Sequence, residues 1–289
     1  MTFSLAANLL LTAAILGAIY LLMALGLTLV YGVTRVFNFA QGSFYVWGGY
    51  IALVLYTSFQ LDYRLVIAIT LGSMFGIGLV FERLLIYPLR RFADWQRTAV
   101  ILTLGAALFL DSLALAFFEA RAKLLPRLAE GIFEYGAVSL TYHDLIILLT
   151  SVAIVIIINL FLRKARTGMS MAAVAQDEVG ANIVGIPISR MYGYSFAIAA
   201  LLAGVSAVLL TPRLPLFPAM GWVIFVKAFV VLMFGGLGSI KGVVIAAFIL
   251  AIMETFVTSY LGAVWALPVC LILLVIVLVF RPRGLFGVW

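Results

Sequence analysis

Few side chains in this 289-residue chain can do chemistry: 10% of its residues are charged and 66% are hydrophobic. Three ionisable residues fall well inside apolar runs, namely Asp111, Lys227 and Glu254. A charge at membrane depth is expensive and marks a functional position by default. Lys227 lies about five residues from the start of its run and Glu254 about seven residues from the end of its own, and in antiparallel neighbours these two ends face the same, outer side. At about 1.5 Å per residue both sit roughly 8–11 Å below that edge, so an intramembrane Lys227–Glu254 ion pair is expected. Such a pair contacts or gates a charged ligand, or it fastens two helices, or its members snorkel outward. Asp111 is expected to hydrogen-bond a neighbouring hydroxyl such as Ser112. Glu82 and Arg83 lie near a span end, within reach of water.

No catalytic constellation is present. The chain lacks Gly-x-Ser-x-Gly, His-Glu-x-x-His and a phosphate-binding Gly-Lys-Ser/Thr loop. One cysteine (Cys270) and one histidine (His143) exclude an internal disulfide and the usual zinc sites. His143 reads as a surface residue beside Asp144 at a helix start. No catalytic residue, metal or cofactor is expected on this chain, and any ATP must be used by partners.

The elements that position these residues follow from the composition. The mean hydropathy is +1.26, and one soluble core cannot absorb so much apolar surface at this length. The fold class is therefore all-α, a polytopic helical membrane protein with about eight to nine transmembrane segments. The apolar runs are roughly 5–31, 42–59, 65–87, 98–118, 144–162, 192–211, 223–234, 243–261 and 264–280. Arg35 is the first basic residue, so the first run lacks the charged start of a cleavable leader and reads as a span. The chain reads as one domain over 1–289.

The net charge of +7 fits membrane orientation better than nucleic-acid binding. Alternate loops and span ends carry Arg35, Arg83, Arg90, Arg91, Arg97, Arg163, Lys164, Arg166, Arg190, Lys241, Arg281 and Arg283. The opposite set holds Arg64, Arg121, Lys123, Arg127 and Arg213. The positive-inside rule makes the richer set cytoplasmic, with the N-terminus outside and the C-terminus inside.

Short or broken helices are expected near 35–48 and 223–242. Both places carry Gly-Ser between apolar runs: Asn38, Gln41, Gly42 and Ser43 in the first, and Gly235, Gly236, Gly238 and Ser239 in the second. Backbone leaving a helix at membrane depth must be buried or line a wet cavity, and paired breaks mark transport paths. These eight residues are candidate path residues; two ordinary tight turns are the alternative. A third feature is the inner segment of about 164–190, where the helix-forming run 171–178 reads as one short helix on the membrane surface, capped by Thr167 or Ser170. Outside, the mixed-charge stretch 119–143 reads as a loop. Gly72, Gly76, Gly78, Ala199, Ala200, Ala203 and Gly204 permit close helix packing.

In this order and spacing, several motifs identify a family. They are Ala24–Gly32 leading into Val36-Phe37-Asn38-Phe39-Ala40-Gln41-Gly42; Ala172–Asp177 with Gly185-Ile186; Val226-Lys227-Ala228-Phe229, Phe234–Ser239, Gly242 and Glu254; and the tail Arg281-Pro282-Arg283-Gly284-Leu285-Phe286-Gly287. The whole chain resembles the LivH-type permease of bacterial branched-chain amino acid ABC importers. Lys241 departs from the small residue or proline expected there.

The resemblance implies a permease for branched-chain or other apolar amino acids in the inner membrane. It implies two ATP-binding subunits, a second related permease (LivM-like) and a periplasmic solute-binding protein, with no nucleic acid. It also implies an ATPase-coupling role for Ala172, Ala175, Gln176, Asp177, Glu178, Gly180 and Gly185, with Asp177 and Glu178 available to pair with basic groups. Relatives that carry urea, amides or other small acids leave those as alternative substrates. A stand-alone secondary transporter or channel is a further alternative, and would require Asp111 or Glu254 to change protonation.

Overall fold

The computed structural model describes residues 3–129, 131–135, 138–282 and 284–287. Seven helical runs are long and apolar enough to cross a membrane among the described residues. The first is α1 (Phe3–Thr34), whose 32 residues extend about 48 Å, well beyond a hydrocarbon core of roughly 30 Å. Next come α2 (Gln41–Thr57) and α3 (Tyr63–Phe81), which passes through a π-helical turn at Glu82–Ile86 into α4 (Tyr87–Leu89). α5 (Trp95–Phe118) leads to a two-stranded hairpin, β1 (Ile132–Tyr135) with β2 (Val138–Thr141), and α6 (Tyr142–Lys164) follows. The helices α7 (Arg166–Gln176) and α8 (Glu178–Ile183) precede α9 (Ile188–Leu210), α10 (Met220–Gly235), α11 (Ile240–Leu261) and α12 (Ala266–Phe280). With the shorter α2 and α10, the long runs account for all nine apolar segments read from the sequence.

The core is built on α1 and α9. Their most apolar windows are 89% and 83% buried, against 17% for α5 and α6 and 11% for α12. The outer helices thus turn most of their apolar side chains away from the protein, as lipid-facing or subunit-facing helices do. The helices α1, α2 and α3 all pack on α9, and small residues set the spacing. A Cβ on Gly48 would sit 2.8 Å from Gly204 Cα, and one on Gly78 would sit 2.5 Å from Phe196 O. Van der Waals contact of this kind drives helix association in lipid. Gly72 and Gly76 take no part: nothing lies within 4 Å of where their Cβ atoms would be. The same residue type at neighbouring turns points elsewhere.

Several local expectations are corrected. The loop 119–143 contains the β1–β2 hairpin, with Glu134 opposite Ser139; Glu130 lies outside the described residues, and the tail's Arg283 does too. The inner run 171–178 is two helices, because Asp177 leaves the helix (φ −148°, ψ 106°). Its Oδ1 accepts from Val179 N at 3.0 Å and caps α8, an alternative that short acidic side chains offer the backbone. Thr167 and Ser170 lie inside α7, and Ser170 Oγ donates back to Arg166 O. His143 is fully buried, with Nε2 2.9 Å from Leu209 O. Its neighbour Asp144 pairs with Arg213 at 2.5 Å. Glu82 is buried and pairs with Arg90 instead of reaching water.

Candidate functional site

The backbone leaves the helix after Arg35, which takes a positive φ of 57°, and resumes it at Gln41. This irregular stretch does not lie outside the bundle. Phe37 meets Phe229 at 5.5 Å and Phe39 meets Phe225 at 5.2 Å between ring centroids. A Cβ on Gly221 would sit 2.7 Å from Gly42 O. The stretch therefore climbs alongside α10 from its middle to its start, at membrane depth. Its amides need partners there, and side chains supply them. Thr103 Oγ1 on α5 accepts from Phe39 N at 3.3 Å, and Asn38 Oδ1 accepts from Ala40 N at 3.1 Å.

The other polar residues of this break reach neighbouring helices. Gln41 Nε2 donates to Ala199 O at 2.9 Å, next to Gly26, where a side chain would collide with it. Ser43 Oγ donates to Asp111 Oδ1 at 2.7 Å. Asp111 thus bonds a hydroxyl 68 positions away, not the adjacent Ser112. Asn38 Nδ2 and Gln41 Oε1 are buried without a hydrogen-bond partner among the described residues. Leaving such groups unmet costs about 1–3 kcal/mol each.

The second glycine break is at the other end of α10. Gly221 and Gly235 are fourteen residues apart, about 21 Å along a helix, so the two Gly-Ser pairs do not meet. Here the chain makes a tight turn, with Gly236 (φ 104°) and Gly238 (φ 79°) in backbone conformations that favour glycine. Ser239 Oγ caps α11 by accepting from Gly242 N at 3.2 Å. The C-terminal segment closes over the turn: Leu285 N donates to Phe234 O and Phe286 N to Gly235 O. A Cβ on Gly236 would sit 2.5 Å from Gly287 N. That docking tail was not legible as such; repeated glycines at 235–242 and 284–287 were its only sign. Gly238 borders a cavity of about 520 Å³, shared with Gly32, Arg35, Met171, Ala172 and Gln176.

The inner segment is anchored, not loose. Met171, Val174, Ala181, Met191 and Tyr192 form a buried cluster with Val33 of α1, and Arg35 donates to Ala175 O at 2.8 Å. Arg90, paired with Glu82, lies 4.3 Å over the Tyr192 ring. Burial lowers the Arg90 guanidinium from its ordinary value, and the Glu82 carboxylate opposes that. Gly180 leaves room for the Asp177 carboxylate, and Gly185 (φ 84°) ends the segment. By contrast Val179, Ile183 and Val184 are 71%, 81% and 74% exposed.

The structure brings Lys227 and Glu254 together, with Nζ 2.5 Å from Oε1. Lys227 Nζ also donates to Tyr20 OH at 2.9 Å. The triad ties α10, α11 and α1 at the centre of the bundle. Among the described residues no group of three or more His, Cys, Asp or Glu side chains is placed to hold a metal.

The chain is 30% identical to the high-affinity branched-chain amino acid transport system permease protein BraD of Pseudomonas aeruginosa, over 94% of this chain and 92% of that one. It is also 30% identical to the LivH permease protein of the same kind of system from Escherichia coli K12, with the same coverage. A probable branched-chain amino acid transport permease protein LivH of Methanocaldococcus jannaschii is 29% identical over 96% of this chain and 91% of its own. No solved structure matches. Residues 9–280 match the family described as the permease component of the branched-chain amino acid transport system, and the chain belongs to that family.

Proposed function

We propose that this chain is one membrane-spanning permease of an ATP-driven importer that carries branched-chain or other apolar amino acids across a bacterial inner membrane. It works with two ATP-binding subunits, a second related permease and a periplasmic solute-binding protein. It binds no cofactor of its own; its partners hydrolyse the ATP. The N-terminus lies outside and the C-terminus in the cytoplasm. The observation that carries this reading is the α7–α8 segment. It is fixed to α1 and α9 on one side and leaves Val179, Ile183 and Val184 exposed on the protein surface on the other. An apolar face on a rigidly held helix suits docking into a groove of an ATPase, where a rigid-body motion passes into α1 and α9. Urea and amides remain rival solutes of the same reading.

The test is reconstitution of the whole transporter in proteoliposomes with ATP inside and solute-loaded receptor outside. Val179→Asp and Ile183→Asp should each leave the permease in the membrane, yet lower solute-stimulated ATP hydrolysis and uptake at least tenfold. Unchanged coupling in both variants would remove the docking reading. ATP-independent uptake by this chain alone would replace it with a stand-alone transporter.

A further inference from the structure

Four acidic residues lie inside the membrane-spanning runs: Glu82, Asp111, Asp144 and Glu254. Three have cations: Arg90, Arg213 and Lys227 respectively. Asp111 has no cationic partner among the described residues. Its neighbours are the Ser43 hydroxyl at 2.7 Å and the indole of Trp222. It stands seven residues before the end of α5, roughly 10 Å from that helix end. A carboxylate at such depth must pair or face a cavity, and Asp111 faces one.

The cavity lies between α5 and the start of α10 and holds about 300 Å³, at the lower end of the usual size for small-molecule sites, roughly 300–1,000 Å³. Leu108, Asp111, Ser112 and Leu115 line it at the i, i+3, i+4, i+7 spacing that puts residues on one helix face. Phe217 and Trp222 close the other side. One carboxylate among aliphatic and aromatic walls is the complement of an ammonium group on an apolar body. The Trp222 ring adds apolar wall beside the carboxylate, to which its indole hydrogen-bonds.

Resting on the amino-acid import reading, we propose that this cavity is a substrate subsite. Asp111 receives the ammonium group of a zwitterionic amino acid, and Leu108, Leu115, Phe217 and Trp222 receive its apolar side chain. Ala219, which precedes α10 without a side-chain cap, borders the same space. The positive end of that helix is on hand for the solute carboxylate. The Asp111 carboxylate defines the site, and the helix end complements it. Leu108, Ser112 and Leu115 are exposed, so the cavity opens on the flank of the bundle, as a path shared with a second permease subunit requires.

A diazirine-bearing leucine analogue, photo-crosslinked to the assembled transporter and mapped by mass spectrometry, tests this. Labelling should fall within 108–115 or 217–222, be protected by excess leucine, and escape protection by 4-methylpentanoate, which lacks the ammonium group. Asp111→Asn keeps an acceptor for Ser43 and should lower labelling at least tenfold. Leu115→Trp, which fills the cavity without touching the carboxylate, should lower it too. Labelling elsewhere only, equal protection by both acids, or undiminished labelling in both variants would overturn the subsite. ATP-driven uptake by the wild-type complex, measured in parallel, separates two failures. Uptake without labelling in the cavity overturns the subsite alone. Absence of uptake of any apolar amino acid overturns the import reading and the subsite with it.

Discussion

Replacing Lys227 by methionine strands the carboxylate of Glu254 in the centre of the bundle. The Glu254 side chain is 8% exposed and that of Lys227 is 15% exposed, so water cannot take over the role of the lysine. Removing one member of a buried pair costs about 3–5 kcal/mol, because the remaining charge is uncompensated. Tyr20 offers no new relief, because its hydroxyl accepts from Lys227 and is already hydrogen-bonded to Glu254. The expected loss for Lys227→Met is therefore about 3–5 kcal/mol, or between about two and four powers of ten in the folded ratio. Removing both charges with Lys227→Met and Glu254→Gln leaves no orphan, and the double variant should return to within about 1 kcal/mol of the wild type. Unfolding of the purified permease by SDS titration in mixed micelles reads all three values and gives a coupling energy of at least ~2 kcal/mol. A double variant whose loss equals the sum of the single losses, within about 0.5 kcal/mol, would refute the pairing argument. Uptake per folded transporter then assigns the role. A double variant that transports normally shows that the triad fastens α1, α10 and α11, whereas one that folds but does not transport makes it a gate.

Two further outcomes follow from packing and capping. Gly42→Ala should push α2 from α10, since its methyl would collide with the carbonyl of Gly221, and cost about 1–3 kcal/mol. Gly76→Ala, with nothing within 4 Å, should be neutral, and the two are compared by the yield of monodisperse protein after heating in detergent. Asp177→Ala should lose the cap of α8, about 1 kcal/mol, and impair coupled ATP hydrolysis, while Asp177→Asn should retain both. If Asn behaves like Ala, the charge itself is needed, and Asp177 acts on the ATPase instead of on its own helix.

Much of this molecule was legible before any coordinates. Apolar run length specifies spans because lipid cannot satisfy a peptide group, and that rule needs no knowledge of neighbours. The break at 35–40 and the turn at 236–239 were visible from polar and glycine residues between apolar runs. The common depth of Lys227 and Glu254 followed from the fixed rise of a helix. Depth, however, is one coordinate, and the direction in which a side chain points around the helix axis is another. Packing decided that direction. It sent Gly78 into α9 and left Gly72 and Gly76 without contacts, buried His143 against Leu209, and gave Asp111 the hydroxyl of Ser43 instead of its neighbour Ser112. It also set the two Gly-Ser breaks at opposite ends of α10 and folded the tail over the second. Helix propensity favoured one helix over 171–178, yet the Asp177 side chain bonded the backbone and split it. The sequence thus determined which segments enter the membrane and how deep each residue lies. Only the tertiary structure decided which residues face each other, because helix rotation and pairing arise from contacts between segments far apart along the chain.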